Sequence, residues 1–212
     1  MPIRVSRKRA DAYQHGDLRN ALIQAGLKLL GEGGVGGLSL RAAAELAGVS
    51  HAAPYRHFAD KDALVAAIAE EGFRLLTRRM RDEIEASGSN DTLSRLQASA
   101  VGYVSFAVEH PGYFRTIFGG VVCEEGKAAS PSLRAAGEEA YRVLRDIVAE
   151  GIERGRLRAG DPELVSLTAW ALVHGLGMLI IDGQVRDPAG AAPNVGKMTE
   201  AVVRLLMTGL RA

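Results

Sequence analysis

The sequence predicts an all-α protein with a small N-terminal unit and a larger C-terminal one. Three observations carry the prediction. Apolar residues recur at helical spacing along most of the chain, alternating strand patterns are nearly absent, and Gly, Pro, Ser and Asp stand where helices should start and stop. With 212 residues, 47% hydrophobic and 24% charged, the chain has an ordinary globular composition and enough apolar material for a core in each unit. A disordered or collagen-like polypeptide is thereby excluded.

Taken in order, residues 1–16 read as a flexible basic arm. Arg4, Arg7, Lys8 and Arg9 have no acidic neighbour between Met1 and Ala10, and such a run attracts phosphates without having to be a binding site. Leu18, Leu22, Ala25 and Leu29 share one face of a first helix, with Asp17 placed to cap its start and Gly31, Gly33 and Gly34 to stop it. A second short helix begins after the N-cap Ser39, carries Leu40, Ala43, Ala44 and Ala47 on one face, and stops at Gly48. Ser50 is placed to cap a third short helix to about Phe58, and Asp60 a fourth that runs from Lys61 to about Ala86. Further helices are expected at about Thr92 to Glu109, Gly112 to Phe118, Ser132 to Gly155, Pro162 to Ile181 and Asn194 to Leu210. Turn residues separate them, including the loop from Asp187 to Pro193.

The run from Leu164 to Ile181 contains no Asp, Glu, Lys or Arg and just reaches the roughly 18-residue length of a membrane span. Its Ser166, Thr168, His174 and two glycines, its acidic flanks and its solitary occurrence favour a helix buried by its neighbours or by a second copy of the chain, and not in a membrane. Cys123 is the sole cysteine and has no partner for an internal disulfide, and no apolar run follows the basic N-terminus as in a signal peptide. These features place the chain in the cytoplasm.

The informative segment is Leu38 to Phe58, LSLRAAAELAGVSHAAPYRHF, followed by Ala59 to Leu64. Two short helices joined by a tight glycine turn make a helix-turn-helix candidate, motif about 39–58. Leu40, Ala44, Leu46, Val49, Tyr55 and Phe58 are expected to lock the two helices together. The other face then presents Arg41, Ser50, His51, Ala52, Pro54, Arg56 and His57, small or donor-bearing residues suited to a DNA major groove. Packing between two short helices also produces this shape. Here the cap, turn glycine, apolar lock, aromatic-basic end and following Lys61 occur in register, which favours DNA binding.

With Ala47-Gly-Val-Ser50, Tyr55-Arg-His-Phe58 and Lys61, the run from Asp17 to Leu64 resembles the DNA-binding domain of the TetR family of bacterial transcriptional regulators. The resemblance implies a domain over residues 17–60 and a helical regulatory and dimerisation domain over 61–212. It puts Ser39, Tyr55, His57 and Lys61 where family members contact phosphates, and Arg41, His51, Ala52 and Pro54 where they approach bases. Lys61 also opens a helix, whose free N–H groups add to its pull on a phosphate. His51-Ala-Ala-Pro54 departs from the Gly and branched apolar residue that often stand there.

Other motifs fail on context. Gly31-Glu-Gly-Gly-Val-Gly36 has dinucleotide-loop spacing but follows a helix, not a strand. The sequence offers no catalytic constellation, metal-ligand set or cofactor motif. Trp170, His174 and Met178 share one stripe, which is either plain core or the wall of an apolar ligand pocket completed by Tyr103, Phe106, Tyr113, Phe114 and Phe118. Trp170 to Gly175, with His110 to Arg115, resembles a C-terminal domain of part of the family named for its Trp, His and Gly (WHG).

The expectation is a homodimeric regulator, joined through its last two helices and bound to a palindromic double-stranded DNA operator until an unknown small-molecule effector releases it. Two alternatives stand beside it. One is a helical small-molecule enzyme or binding module with a vestigial helix-turn-helix, and the other is a DNA-binding regulator that answers to a protein partner.

Overall fold

A computed structural model describes residues 15–119, 130–185 and 194–210. Most of the basic arm, Cys123 and the loop from Asp187 to Pro193 therefore lie outside the described residues. The elements are α1 (His15–Gly37), α2 (Leu40–Leu46), a 3₁₀ turn (Pro54–Arg56), α3 (Lys61–Ala86), α4 (Thr92–Glu109), α5 (Pro111–Phe118), α6 (Pro131–Glu153), α7 (Pro162–Ile181) and α8 (Val195–Leu210). They form two compact units that divide between Ile68 and Ala69, so α3 opens in the first and continues into the second.

In the first unit Leu22, Ile23 and Ala25 of α1 are buried with Leu38, Leu40, Ala43, Ala44, Phe58, Leu64 and Ile68. Gly26 lets α1 approach α3 closely: a Cβ there would meet Ile68 Cδ1 at 2.8 Å. α1 begins two residues before Asp17, and it passes through Gly31 and Gly33 to break at Gly34, whose φ of 61° and ψ of −162° suit only glycine. Local capping fixes the next two starts. Ser39 Oγ accepts from Ala42 N–H at 3.0 Å, and Asp60 Oδ1 accepts from Ala63 N–H at 2.8 Å.

The expected helix from Ser50 to Phe58 is a correction. The chain makes single turns, Ala53 N–H to Ser50 O and His57 N–H to Pro54 O at 2.9 Å each, around a three-residue 3₁₀ turn. Pro54 is the reason, because it has no N–H to donate to the Ser50 carbonyl.

The second unit is built around α4, which packs against α5, α6, α7 and α8. At Gly102 it also meets α3, where a Cβ would lie 2.7 Å from Met80 Cα. α7 is the one helix among the described residues long and apolar enough to cross a membrane. It packs instead against α4, α6 and α8 and buries Ser166, Val173, Leu176 and Gly177. Its outer face leaves Leu164, Leu167 and Leu179 exposed, and α8 leaves Leu205 78% exposed.

Candidate nucleic-acid interface and ligand cavity

The segment after α2 sorts its side chains by exposure. Ser39, Arg41, Ser50, His51, Ala52 and Arg56 are exposed, Tyr55 is 63% exposed, and His57 and Lys61 are half-buried. Phe58 is 3% exposed and packs inward, with the Arg19 guanidinium 5.7 Å above its ring. Two expectations are corrected here. Pro54 is fully buried and forms part of the lock, not of the open face, while Tyr55 and Leu46, expected in the lock, are exposed. The 3₁₀ turn advances the chain by a larger angle per residue than an α-helix, which rotates Pro54 inward and Tyr55 outward. Lys61 opens α3, with Asp60 Oδ1 already holding one of its first N–H groups.

The second unit encloses a cavity of about 310 Å³, lined by side chains of α3, α4, α5, α6, α7 and α8. Tyr103, Phe118 and Trp170 line it. Phe106, Tyr113 and Phe114 do not. Phe106 and Phe114 are fully buried in the packing behind the wall, and Tyr113 faces the Gly72 position of α3. His174 and Met178 are also absent from the lining, because α7 turns the neighbouring stripe Val165, Ala169 and Val173 inward together with Trp170. Sequence reasoning missed Phe73, Leu76 and Met80 of α3, Gly137, Tyr141 and Leu144 of α6, and Val203, Leu206 and Met207 of α8. The spacing 137, 140, 141, 144, 148 on α6 is a helix stripe that was there to be found.

Just behind the wall His174 joins a polar chain. Trp170 Nε1–H donates to the Tyr103 hydroxyl at 2.9 Å, and that oxygen lies 2.9 Å from His174 Nδ1. Phe114 stacks on the imidazole at 5.3 Å and Phe118 meets it edge-on at 4.9 Å. Burial lowers the His174 pKa and pushes that of Tyr103 upward, so both groups are neutral near pH 7.

Residues 22–68 match the model of bacterial regulatory proteins of the tetR family, and residues 96–206 match a tetracyclin repressor-like C-terminal domain. An HTH-type transcriptional regulator of Mycobacterium bovis is 30% identical over 160 residues, a stretch covering 73% of this chain and 64% of the relative. The chain thus spans less than two thirds of the length of the curated relatives it matches. A solved structure of a protein of unknown function from Rhodococcus sp. RHA1 has a TM-score of 0.80 at 34% identity, covering 95% of this chain and 100% of that one. FadR of Bacillus subtilis, solved in complex with stearoyl-CoA, shares the fold at a TM-score of 0.68 and 19% identity, over 91% of this chain and 99% of that one. With the first match spanning the capped segment and the second running from α4 into α8, the chain belongs to the TetR family of bacterial regulatory proteins.

Proposed function

We propose that this chain is a cytoplasmic transcriptional regulator that occupies an inverted-repeat DNA operator and leaves it when a small molecule fills the cavity. The observation that carries the reading is the sorting of side chains over residues 39–61, with donors outside and a lock of Leu40, Ala44, Pro54 and Phe58 inside. In this reading Ser39, Tyr55, His57 and Lys61 hold phosphates and set the register, while Arg41, His51 and Ala52 meet base edges. Pro54 acts from behind, fixing the turn that presents them. The similarity to HTH-type transcriptional regulators of Mycobacterium bovis and Mycobacterium tuberculosis supports the assignment.

A symmetric operator needs two reading segments about 34–36 Å apart, hence two copies of the chain. The exposed leucines of α7 and α8 supply an apolar face for the second copy. The cavity touches α3 at Phe73, Leu76 and Met80, and the same helix begins at Lys61. A ligand that prefers a setting of α3 other than the DNA-binding one weakens DNA binding, and DNA weakens that ligand by the same factor. The lining of apolar side chains with a few hydroxyls and one indole supports binding rather than catalysis.

The test is selection of bound duplexes from a random DNA pool at near-physiological salt. Enrichment of an inverted repeat with fixed half-site spacing is the expected result. Failure of folded, ligand-free protein to enrich any sequence would overturn the reading.

A further inference from the structure

The chemical class of the ligand can be inferred from the cavity, and this inference rests on reading the cavity as the effector site. Its volume, about 310 Å³, has room for at least about ten water-sized groups at ~30 Å³ each. Among the described residues that line it there is no Lys, Arg, His, Asp or Glu. A carboxylate, phosphate or ammonium group would be buried there without a counter-charge, which a neutral molecule avoids.

Among the lining residues that carry a hydroxyl, Tyr103 has that group held from two sides. Trp170 Nε1 is a donor only, so it takes a lone pair of the Tyr103 oxygen. The contact to His174 Nδ1 runs in either direction. In the Nε2–H tautomer of His174, Tyr103 donates and keeps a further lone pair. In the Nδ1–H tautomer the imidazole donates, and the Tyr103 proton is released for another acceptor. The two states differ by a tautomer and no charge appears in either, in keeping with an imidazole and a phenol that burial holds neutral. Tyr103 can therefore meet an incoming donor or an incoming acceptor.

We propose that the cavity takes an uncharged, largely apolar molecule of at least about ten heavy atoms that carries one hydroxyl or carbonyl oxygen, paired with Tyr103. Trp170 and His174 are the positioning residues for that hydrogen bond.

Trp170 is the chain's one tryptophan and lines the cavity, so its emission reports occupancy. The probes are n-butylbenzene and 3-phenylpropan-1-ol, which exchange a terminal methyl for a hydroxyl, and 3-phenylpropanoate, the corresponding anion. On wild type the alcohol should bind within about threefold of butylbenzene, because its hydroxyl finds a partner. The anion should bind about a hundredfold more weakly. Tyr103→Phe should lower the alcohol-to-butylbenzene affinity ratio about tenfold while leaving butylbenzene itself within about threefold. An unchanged ratio in Tyr103→Phe, the same drop produced by Ser99→Ala instead, equal binding of the anion, or binding of no probe would each overturn the inference. Should Tyr103→Phe fail to fold, the wild-type ratio decides, since an alcohol about tenfold or more below butylbenzene marks a hydroxyl left without a partner. These titrations contain no DNA. Their failure leaves the DNA-binding reading intact, whereas tight alcohol binding that does not alter retention of a selected operator would sink ligand-driven release alone.

Discussion

Replacing Gly102 with alanine should destabilise the second unit, and the size of the effect follows from where α4 meets α3. The added Cβ would lie 2.7 Å from Met80 Cα and 2.8 Å from the Arg79 carbonyl oxygen. Both are backbone atoms, so no side-chain rotation relieves the overlap, and the helices must separate until 2.7 Å becomes the 3.4 Å of ordinary contact. Overpacking costs about 1–3 kcal/mol, with the upper end expected where neither neighbour can yield. Alanine is better than glycine inside a helix by about 1 kcal/mol, leaving a net loss of about 2 kcal/mol. For a unit of this size that lowers Tm by roughly 4–8 °C. Thermal unfolding followed by circular dichroism measures it, with Gly31→Ala as the control, because nothing lies within 4 Å of a Cβ at that helical position. A Gly102→Ala protein melting at or above wild type would refute the argument from backbone contact.

Three further outcomes are expected. Lys61→Ala and Tyr55→Ala should weaken binding on all duplexes, with Lys61→Ala also reducing the salt slope by about one, whereas Arg41→Ala should relax preference at particular positions of the selected site; a uniform loss for Arg41→Ala would remove its assignment to bases. Burial lowers the His174 pKa, so its stabilising contribution is complete above the ordinary imidazole range and is lost as pH falls through the depressed folded value. The melting temperature of wild type should accordingly drop further than that of His174→Gln between about pH 7 and about pH 5, and parallel drops would contradict the assignment. Leu167→Glu with Leu205→Glu, both on exposed apolar positions, should yield monomers by sedimentation and abolish binding to an inverted repeat; a dimer that persists places the interface elsewhere.

Two of the expected caps were legible in the sequence because capping is local, whereas Asp17 lies inside α1 and Ser50 opens no helix. Ser39 and Asp60 sit a few residues from the N–H groups they hold, and both side chains accept as expected. α3, α4 and α7 have the predicted bounds for the same reason: their breaks are written in adjacent Gly, Pro, Ser and Asp residues. Pro54 was misplaced because its facing was counted from an α-helix opened at Ser50, a period that the missing N–H abolishes. The cavity was only half legible. α7 is apolar on every side, so its pattern does not say which face turns inward, and the choice of Val165 and Val173 over His174 and Met178 is made by α4, α6 and α8. Phe106 and Phe114, expected in the lining, pack behind it against Tyr103, His174 and each other, because which rings border empty space depends on volumes summed over six helices.

The buried Pro54 also bears on how such a protein changes over generations. His51, Ala52, Tyr55 and Arg56 are exposed, whereas Pro54 and Phe58 between and beyond them are packed. A lineage can therefore exchange the outward residues one at a time while the inward ones keep the loop folded. Proline strengthens that independence, because its ring fixes the local backbone whatever its neighbours are. Under the proposed DNA-binding function, preference for a new operator is then reachable without passing through an unfolded ancestor, and a library randomised at those four outward positions should explore recognition with little loss of folded members.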